Sequence, residues 1–91
     1  MSDEIRLALY PAVPNPFNPS TIIGFTVPER MYVTLKIYDL LGREVATLKN
    51  GLCEKGEYRV IWNASGFASG LYFSRLEANG KSLIQRFLLL K

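Results

Sequence analysis

The sequence predicts an all-β fold, a single antiparallel β-sandwich domain. Residues 20–90 divide into short runs rich in β-branched and aromatic residues, separated by turn signals at about the 8–12-residue spacing typical of sandwiches. No stretch favours a helix. The chain has 91 residues, which is enough for one hydrophobic core but not for two. Hydrophobic residues make up 48% and charged residues 21% of the chain, the balance of a folded globular domain.

Residues 1–19 are predicted to form an amino-terminal strand followed by a proline-rich arm, and residues 20–91 the sandwich itself. Residues 5–10 could form a strand. In residues 11–19, hereafter the arm, repeated prolines remove hydrogen-bond donors and favour extended backbone. We expect the arm to cross the domain and to be pinned to it by Phe17.

Two strands with clear alternation are predicted next, at residues 21–27 and 32–39. Pro28 ends the first because proline cannot donate a hydrogen bond to a neighbouring strand. The residues expected to face the core are Ile23, Phe25 and Val27 in the first strand and Val33, Leu35 and Ile37 in the second.

A hairpin turn is predicted at residues 39–42, where the Asp39 side chain can accept bonds from local amides and Gly42 can adopt a positive φ. Residues 44–48 are the expected return strand. Asn50-Gly51 and Gly56 then bracket a predicted loop that contains the single cysteine, Cys53, and a lone cysteine excludes an internal disulfide.

Three further strands are predicted, at residues 57–63, 71–78 and 81–90, with Trp62 at the centre of the core. Asn79-Gly80 is a strong two-residue hairpin signal between the last two. The final strand is apolar on both faces, which favours a central strand covered on both sides over one with a face that awaits a partner. Its two apolar sets are Ile84, Leu88 and Leu90 on one face and Leu83, Phe87 and Leu89 on the other.

Catalytic chemistry has little support in the sequence. The chain has no histidine, which excludes Ser-His-Asp and Cys-His nucleophile systems and removes the commonest zinc ligand. The carboxylates are not clustered, and the glycines show no phosphate-binding spacing. We therefore expect no enzyme activity, no cofactor and no metal.

Charge and hydropathy indicate neither nucleic-acid binding nor a membrane span. The net charge is only +3 and the basic residues are scattered. No apolar run approaches the roughly 18–20 residues that a span requires. The acidic start, Met1-Ser2-Asp3-Glu4, lacks the basic and apolar parts of a signal peptide, so this segment is not expected to direct its own passage across an inner membrane.

The sequence contains four motifs in order and in register: Pro14-Asn15-Pro16-Phe17-Asn18-Pro19-Ser20-Thr21, Val33-Thr34-Leu35-Lys36-Ile37-Tyr38-Asp39-Leu40-Leu41-Gly42-Arg43-Glu44-Val45, Gly70-Leu71-Tyr72-Phe73-Ser74-Arg75-Leu76 and Leu88-Leu89-Leu90-Lys91. Together they resemble the motifs of bacterial C-terminal sorting domains, the export signals of the type IX (Por) secretion system. The likeness covers about residues 10–91, and the flagellar hook-capping protein's immunoglobulin-like domain shares its middle part. Ala12 and Val13 are inserted where family members commonly read Tyr-Pro-Asn-Pro.

The resemblance implies an immunoglobulin-like sandwich of about seven strands that follows an amino-terminal cargo domain. The cargo would pass through the periplasm and the outer membrane to the cell surface or beyond. An outer-membrane translocon, its shuttle protein and a surface sortase would be the partners. In the family the last strand and its final basic residue are recognised, which here corresponds to Arg86, Phe87, Leu88, Leu89, Leu90 and Lys91. Motif positions for which a structural role is expected are Pro14, Asn15, Pro16, Phe17, Asn18, Pro19, Gly42, Arg43, Gly70 and Tyr72.

The sequence is also compatible with other functions. A module that stays on the surface, with a structural or adhesive role, would use the same fold without being cleaved. A carbohydrate-binding module would use an aromatic platform of Tyr32, Tyr38 and Tyr72. An edge strand could also pair with a second copy to give a homodimer, or with a partner's sheet, for which residues 82–91 are the candidate.

Overall fold

The computed structural model describes residues 6–91, and it contains two antiparallel β-sheets and no helix in that range. The all-β prediction is therefore confirmed, while Ile5, the expected start of the first strand, lies outside the described residues. No described segment is a helix that could cross a membrane. The seven strands are β1 (Ala8–Leu9), β2 (Ser20–Val27), β3 (Met31–Asp39), β4 (Glu44–Cys53), β5 (Gly56–Asn63), β6 (Gly70–Ala78) and β7 (Lys81–Leu89).

The two sheets have the strand orders β1-β2-β5 and β4-β3-β6-β7. This is an immunoglobulin-like sandwich in which β4 pairs with β3 in the four-stranded sheet. In the constant-type immunoglobulin arrangement the corresponding fourth strand lies in the other sheet. The arrangement leaves β4 and β7 as the edges of the larger sheet and β1 and β5 as the edges of the smaller one.

The core lies between the sheets and is built from the predicted alternation. The inward residues of β2 and β3 are at most 1% exposed, as expected for Ile23, Phe25, Val27, Val33, Leu35 and Ile37. Trp62 is 4% exposed and its ring contacts four other aromatic rings, so the prediction of its central position is confirmed. Those rings belong to Phe17, Phe67, Tyr72 and Phe87.

The return strand β4 is longer than predicted. It runs to Cys53, so Asn50-Gly51 lies within a strand and Cys53 is buried rather than in a loop. Two register shifts, between Leu35 and Lys36 and between Ile37 and Tyr38, let β4 follow β3 along its whole length. Glycine locally favours a loop, but at Gly51 the pairing with β3 outweighs that local preference.

The prediction that the last strand is central was wrong, because β7 pairs only with β6 and forms an edge. Its inner face packs in the core through Phe87 and Leu89, whereas Ile84 and Leu90 on the outer face are 60% and 51% exposed. Apolar residues on both faces suit a central strand, but the position of a strand in its sheet depends on long-range pairing.

The β6–β7 hairpin is confirmed, and Asn79 and Gly80 both have the positive φ of a type I′ turn, 52° and 77°.

Candidate recognition surface

Residues 86–91, hereafter the terminal segment, divide into buried and exposed side chains by strand alternation. Phe87 and Leu89 are 1% and 0% exposed and belong to the core. Arg86, Leu90 and Lys91 are exposed, and Leu88 is half-buried. A partner can therefore reach the exposed members while the strand stays in the sandwich, because the buried members hold it there.

The arm covers the outer edge of β7 at this end of the strand. The Phe17 N–H donates to the Leu88 carbonyl (3.0 Å), and the Leu90 N–H donates to the Phe17 carbonyl (3.1 Å). The Leu88 N–H donates to Oδ1 of Asn15 at 2.9 Å. Phe17 thus forms a short parallel bridge to β7. The arm and the last strand, which are far apart in sequence, make one continuous surface.

The Phe17 side chain fixes the arm in place by burial between the sheets. It is 3% exposed, and its ring centroid lies 5.8 Å from that of Trp62 and 5.6 Å from that of Phe87. Tilted aromatic pairs at such distances contribute about 0.5–1.5 kcal/mol each beyond their area burial. The expectation that Phe17 pins the arm is confirmed.

Two prolines of the first motif join the arm to β2 and to the loop that follows β5. The Pro14 carbonyl accepts from the Thr21 hydroxyl (2.8 Å), and the Pro19 carbonyl accepts from the Ala64 N–H (2.8 Å). Pro16 and Asn18 are exposed. The two inserted residues fit without disturbing this path, since Ala12 is buried and Val13 bridges Ile22.

The last residue is held by the loop between β5 and β6. Nζ of Lys91 donates to the Ser65 carbonyl at 2.7 Å, and its N–H donates to the Ser69 hydroxyl at 2.9 Å. Sequence reasoning did not assign a role to Ser65 or Ser69, because a serine in a long connection carries no signal of a contact more than 20 residues away. The Lys91 side chain is exposed, but its hydrogen bond to the Ser65 carbonyl fixes its orientation.

The second motif forms the β3–β4 turn, and one carboxylate organises it. Oδ1 of Asp39 accepts from the backbone N–H groups of Leu41 and Arg43, both at 2.9 Å, and Oδ2 pairs with Nε of Arg43 at 2.8 Å. The backbone N–H of Arg43 is the main cause that lowers the pKa of Asp39. Gly42 has a φ of 83°, so a side chain there would be strained.

The third motif forms a corner at the start of β6. The Tyr72 side chain is buried, and its hydroxyl donates to the Ala68 carbonyl at 2.6 Å. This is the geometry of the tyrosine corner of immunoglobulin-like sandwiches, in which the ring packs in the core and the hydroxyl satisfies nearby backbone. Burial is the main cause that raises the pKa of Tyr72. Gly70, with a φ of 153°, allows the chain to enter the strand from the loop.

Buried Tyr72 also bears on the carbohydrate-binding alternative. Tyr32 is exposed on the outer face of the larger sheet, whereas Tyr72 points into the core against Trp62. The three tyrosines therefore do not form the single platform that the carbohydrate-binding alternative requires. Among residues 6–91 no three His, Cys, Asp or Glu side chains lie close enough to hold a metal ion.

Comparison with known proteins gives a family match. A family model described as the secretion system C-terminal sorting domain matches residues 10–90. The chain belongs to this family. The sorting domain is a C-terminal signal for type IX secretion, and the family is one of sorting signals rather than of enzymes. No curated protein matches the chain.

Membership in this family relates the described geometry to secretion. A type IX sorting domain acts together with an attached cargo and with the secretion machinery, and it leads to the cell surface or the extracellular space. Each of the four motifs contributes a part to one end of the sandwich, where the arm, the β3–β4 turn, the start of β6 and the terminal segment lie.

Proposed function

We propose that this sorting domain carries an amino-terminal cargo through the periplasm and across the outer membrane, and that the shuttle protein of the translocon recognises it by the terminal segment. A surface sortase then removes the domain and attaches the cargo to lipopolysaccharide. The observation that best supports recognition at this place is that the exposed and buried residues of the terminal segment alternate within an ordered strand end.

The proposal assigns two roles within the terminal segment. The partner is contacted by the side chains that are exposed or half-buried on the outside of the sandwich, namely Arg86, Leu88, Leu90 and Lys91. Phe87 and Leu89 fix the strand by core packing. The arm and the loop contacts of Lys91 keep the terminal segment preorganised, which lowers the entropy lost on binding.

The structural role expected for the other motif positions is supported by the same contacts. Asn15, Phe17 and Pro19 accept or donate bonds that hold the arm, and Gly42, Arg43, Gly70 and Tyr72 build the turn and the corner. We propose that these residues act on export only through the stability of the fold.

Export of a fused reporter tests the recognition segment. Deleting residues 89–91 would remove the buried Leu89, so a milder change is preferable. The double variant Leu90→Ser, Lys91→Ala changes exposed side chains only, and Leu52→Ser, Lys55→Ala is a matched control, since Leu52 is 57% exposed and Leu90 51%. We expect the first pair to reduce the reporter at the surface of a competent host and the control to leave it unchanged. Undiminished export of the first pair would refute the assignment.

Mass spectrometry of the surface-attached reporter tests removal of the domain. We expect peptides of the reporter and none of this chain. Recovery of the intact domain on the mature reporter would instead support the uncleaved structural or adhesive module.

A further inference from the structure

Among residues 6–91, the outer edge of β7 has backbone hydrogen-bond partners only at its last residues; β1 lies near its middle, where the Gln85 side chain donates to the Leu9 carbonyl at 3.0 Å. Leu88 and Leu90 direct their backbone groups outward to the arm, and in an antiparallel strand the outward direction recurs at every second residue. The pairing with β6 has no register shift, so Ser82, Ile84 and Arg86 also direct their N–H and C=O groups outward. Within residues 6–91 no backbone group pairs with these three.

This stretch differs from the other long edges of the sandwich in shape and charge. The β4 edge contains two register shifts, which disturb strand addition. The β5 edge is regular, but it carries one acid and one base, Glu57 and Arg59. Strand β7 is regular and carries Lys81 and Arg86 with no acidic residue. In the described part of the chain, Arg86 joins no ion pair.

We propose that residues 82–86 bind an extended segment of the secretion machinery by strand addition, one that presents a carboxylate beside Arg86 and a β-branched residue beside Ile84. The proposal rests on the function proposed above and adds to it the chemistry of the partner. The edge already accepts one extended segment, since Phe17 pairs with its end. The added strand covers about five residues, because Asn15 and Phe17 occupy the positions beyond Phe87.

Charge selects this partner over a second copy of the chain. In two antiparallel β7 strands paired at Ile84, Arg86 of each copy would lie opposite Ser82 of the other, and neither Arg86 would meet an acidic residue. A carboxylate of an added segment beside Arg86 instead gains a charge-assisted contact. The exposed Ile84, at 60%, gives the apolar part of the contact.

Matched substitutions on the two regular edges test the proposal. Ile84→Pro removes an outward N–H and places a ring in the path of an added strand, while it leaves the β6–β7 hydrogen bonds intact. Ile61→Pro is its control, since Ile61 is 67% exposed on β5 and its N–H also points away from β2 by the same alternation. Arg86→Glu and Arg59→Glu form a second pair that does not depend on proline.

The four variants are fused as full chains to a reporter, and export is measured beside thermal unfolding of each purified chain. We expect Ile84→Pro and Arg86→Glu to lower export by roughly tenfold or more relative to their controls, and Arg86→Lys to retain it. Equal export of each variant and its control would overturn the proposal, as would an equal loss in both pairs. Failure of the unmodified chain to export the reporter would refute the proposed function instead.

Discussion

Replacement of Phe17 by alanine tests whether the arm is an integral part of the sandwich. Phe17 is 3% exposed and contacts Trp62 and Phe87, so its removal leaves a cavity between the sheets. Truncation of a buried phenylalanine costs about 3–5 kcal/mol. A domain of this size has a total stability of about 5–14 kcal/mol, so the loss is a large fraction of it. The melting temperature should fall by at least about 12 °C.

Guanidinium unfolding followed by the fluorescence of the single tryptophan, Trp62, measures this loss. Phe67→Ala is the control, because Phe67 also contacts Trp62 but is only half-buried and lies in the loop after β5. We expect its cost to be about 1–2 kcal/mol. Hydrogen exchange should show a loss of protection at the Leu90 N–H, relative to amides inside β3, in the Phe17 variant alone. Equal destabilisation by the two substitutions, with Leu90 protection unchanged, would refute this account of the arm.

Three further predictions concern the motif turns. Gly42→Ala should lower the free energy of unfolding by about 1–2 kcal/mol because of the positive φ at this position. Gly51→Ala is the control, since no atom lies near an added Cβ there, and urea unfolding should show an unchanged or higher stability. Equal free energies of unfolding for the two variants would contradict the φ argument. Tyr72→Phe should cost about 1–2 kcal/mol by leaving the Ala68 carbonyl unpaired, and an unchanged melting temperature would argue against the tyrosine corner. The pKa of Asp39 is lowered on folding, chiefly by the Arg43 N–H, so its contribution to stability is complete above the ordinary carboxyl range and is lost as pH falls through the folded value. Between about pH 6 and about pH 2, the melting temperature should therefore fall less steeply for Asp39→Asn than for the unmodified chain. Parallel curves of melting temperature against pH would show that Asp39 does not cause the loss of stability in acid.

The sequence was sufficient for local features of the fold. The strands β2, β3 and β5 follow alternation that burial imposes on each of them separately, and the Asn79-Gly80 hairpin follows from residues that tolerate positive φ. The position of Phe17 was also predictable, because a single large aromatic in a proline-rich segment has no other way to be buried.

The proposed recognition surface was only partly predictable. The terminal segment and the arm were identified from motifs, but nothing in the sequence indicated that Asn15 and Phe17 would pair with Leu88 and Leu90. The contacts of Lys91 with Ser65 and Ser69 were likewise missed. Each of these depends on two segments that meet only after the sheets have packed.

By itself, the sequence determined the fold class, the family and the inward face of most strands, because these depend on residue type and on the two-residue period of a strand. The tertiary structure alone decided that β4 extends through a glycine to a buried Cys53 and that β7 is an edge rather than a centre. Pairing partners and edges are properties of the whole sheet, and no local pattern contains them. The same reason explains why the open stretch of β7 beside Arg86 appears only once the sandwich is assembled.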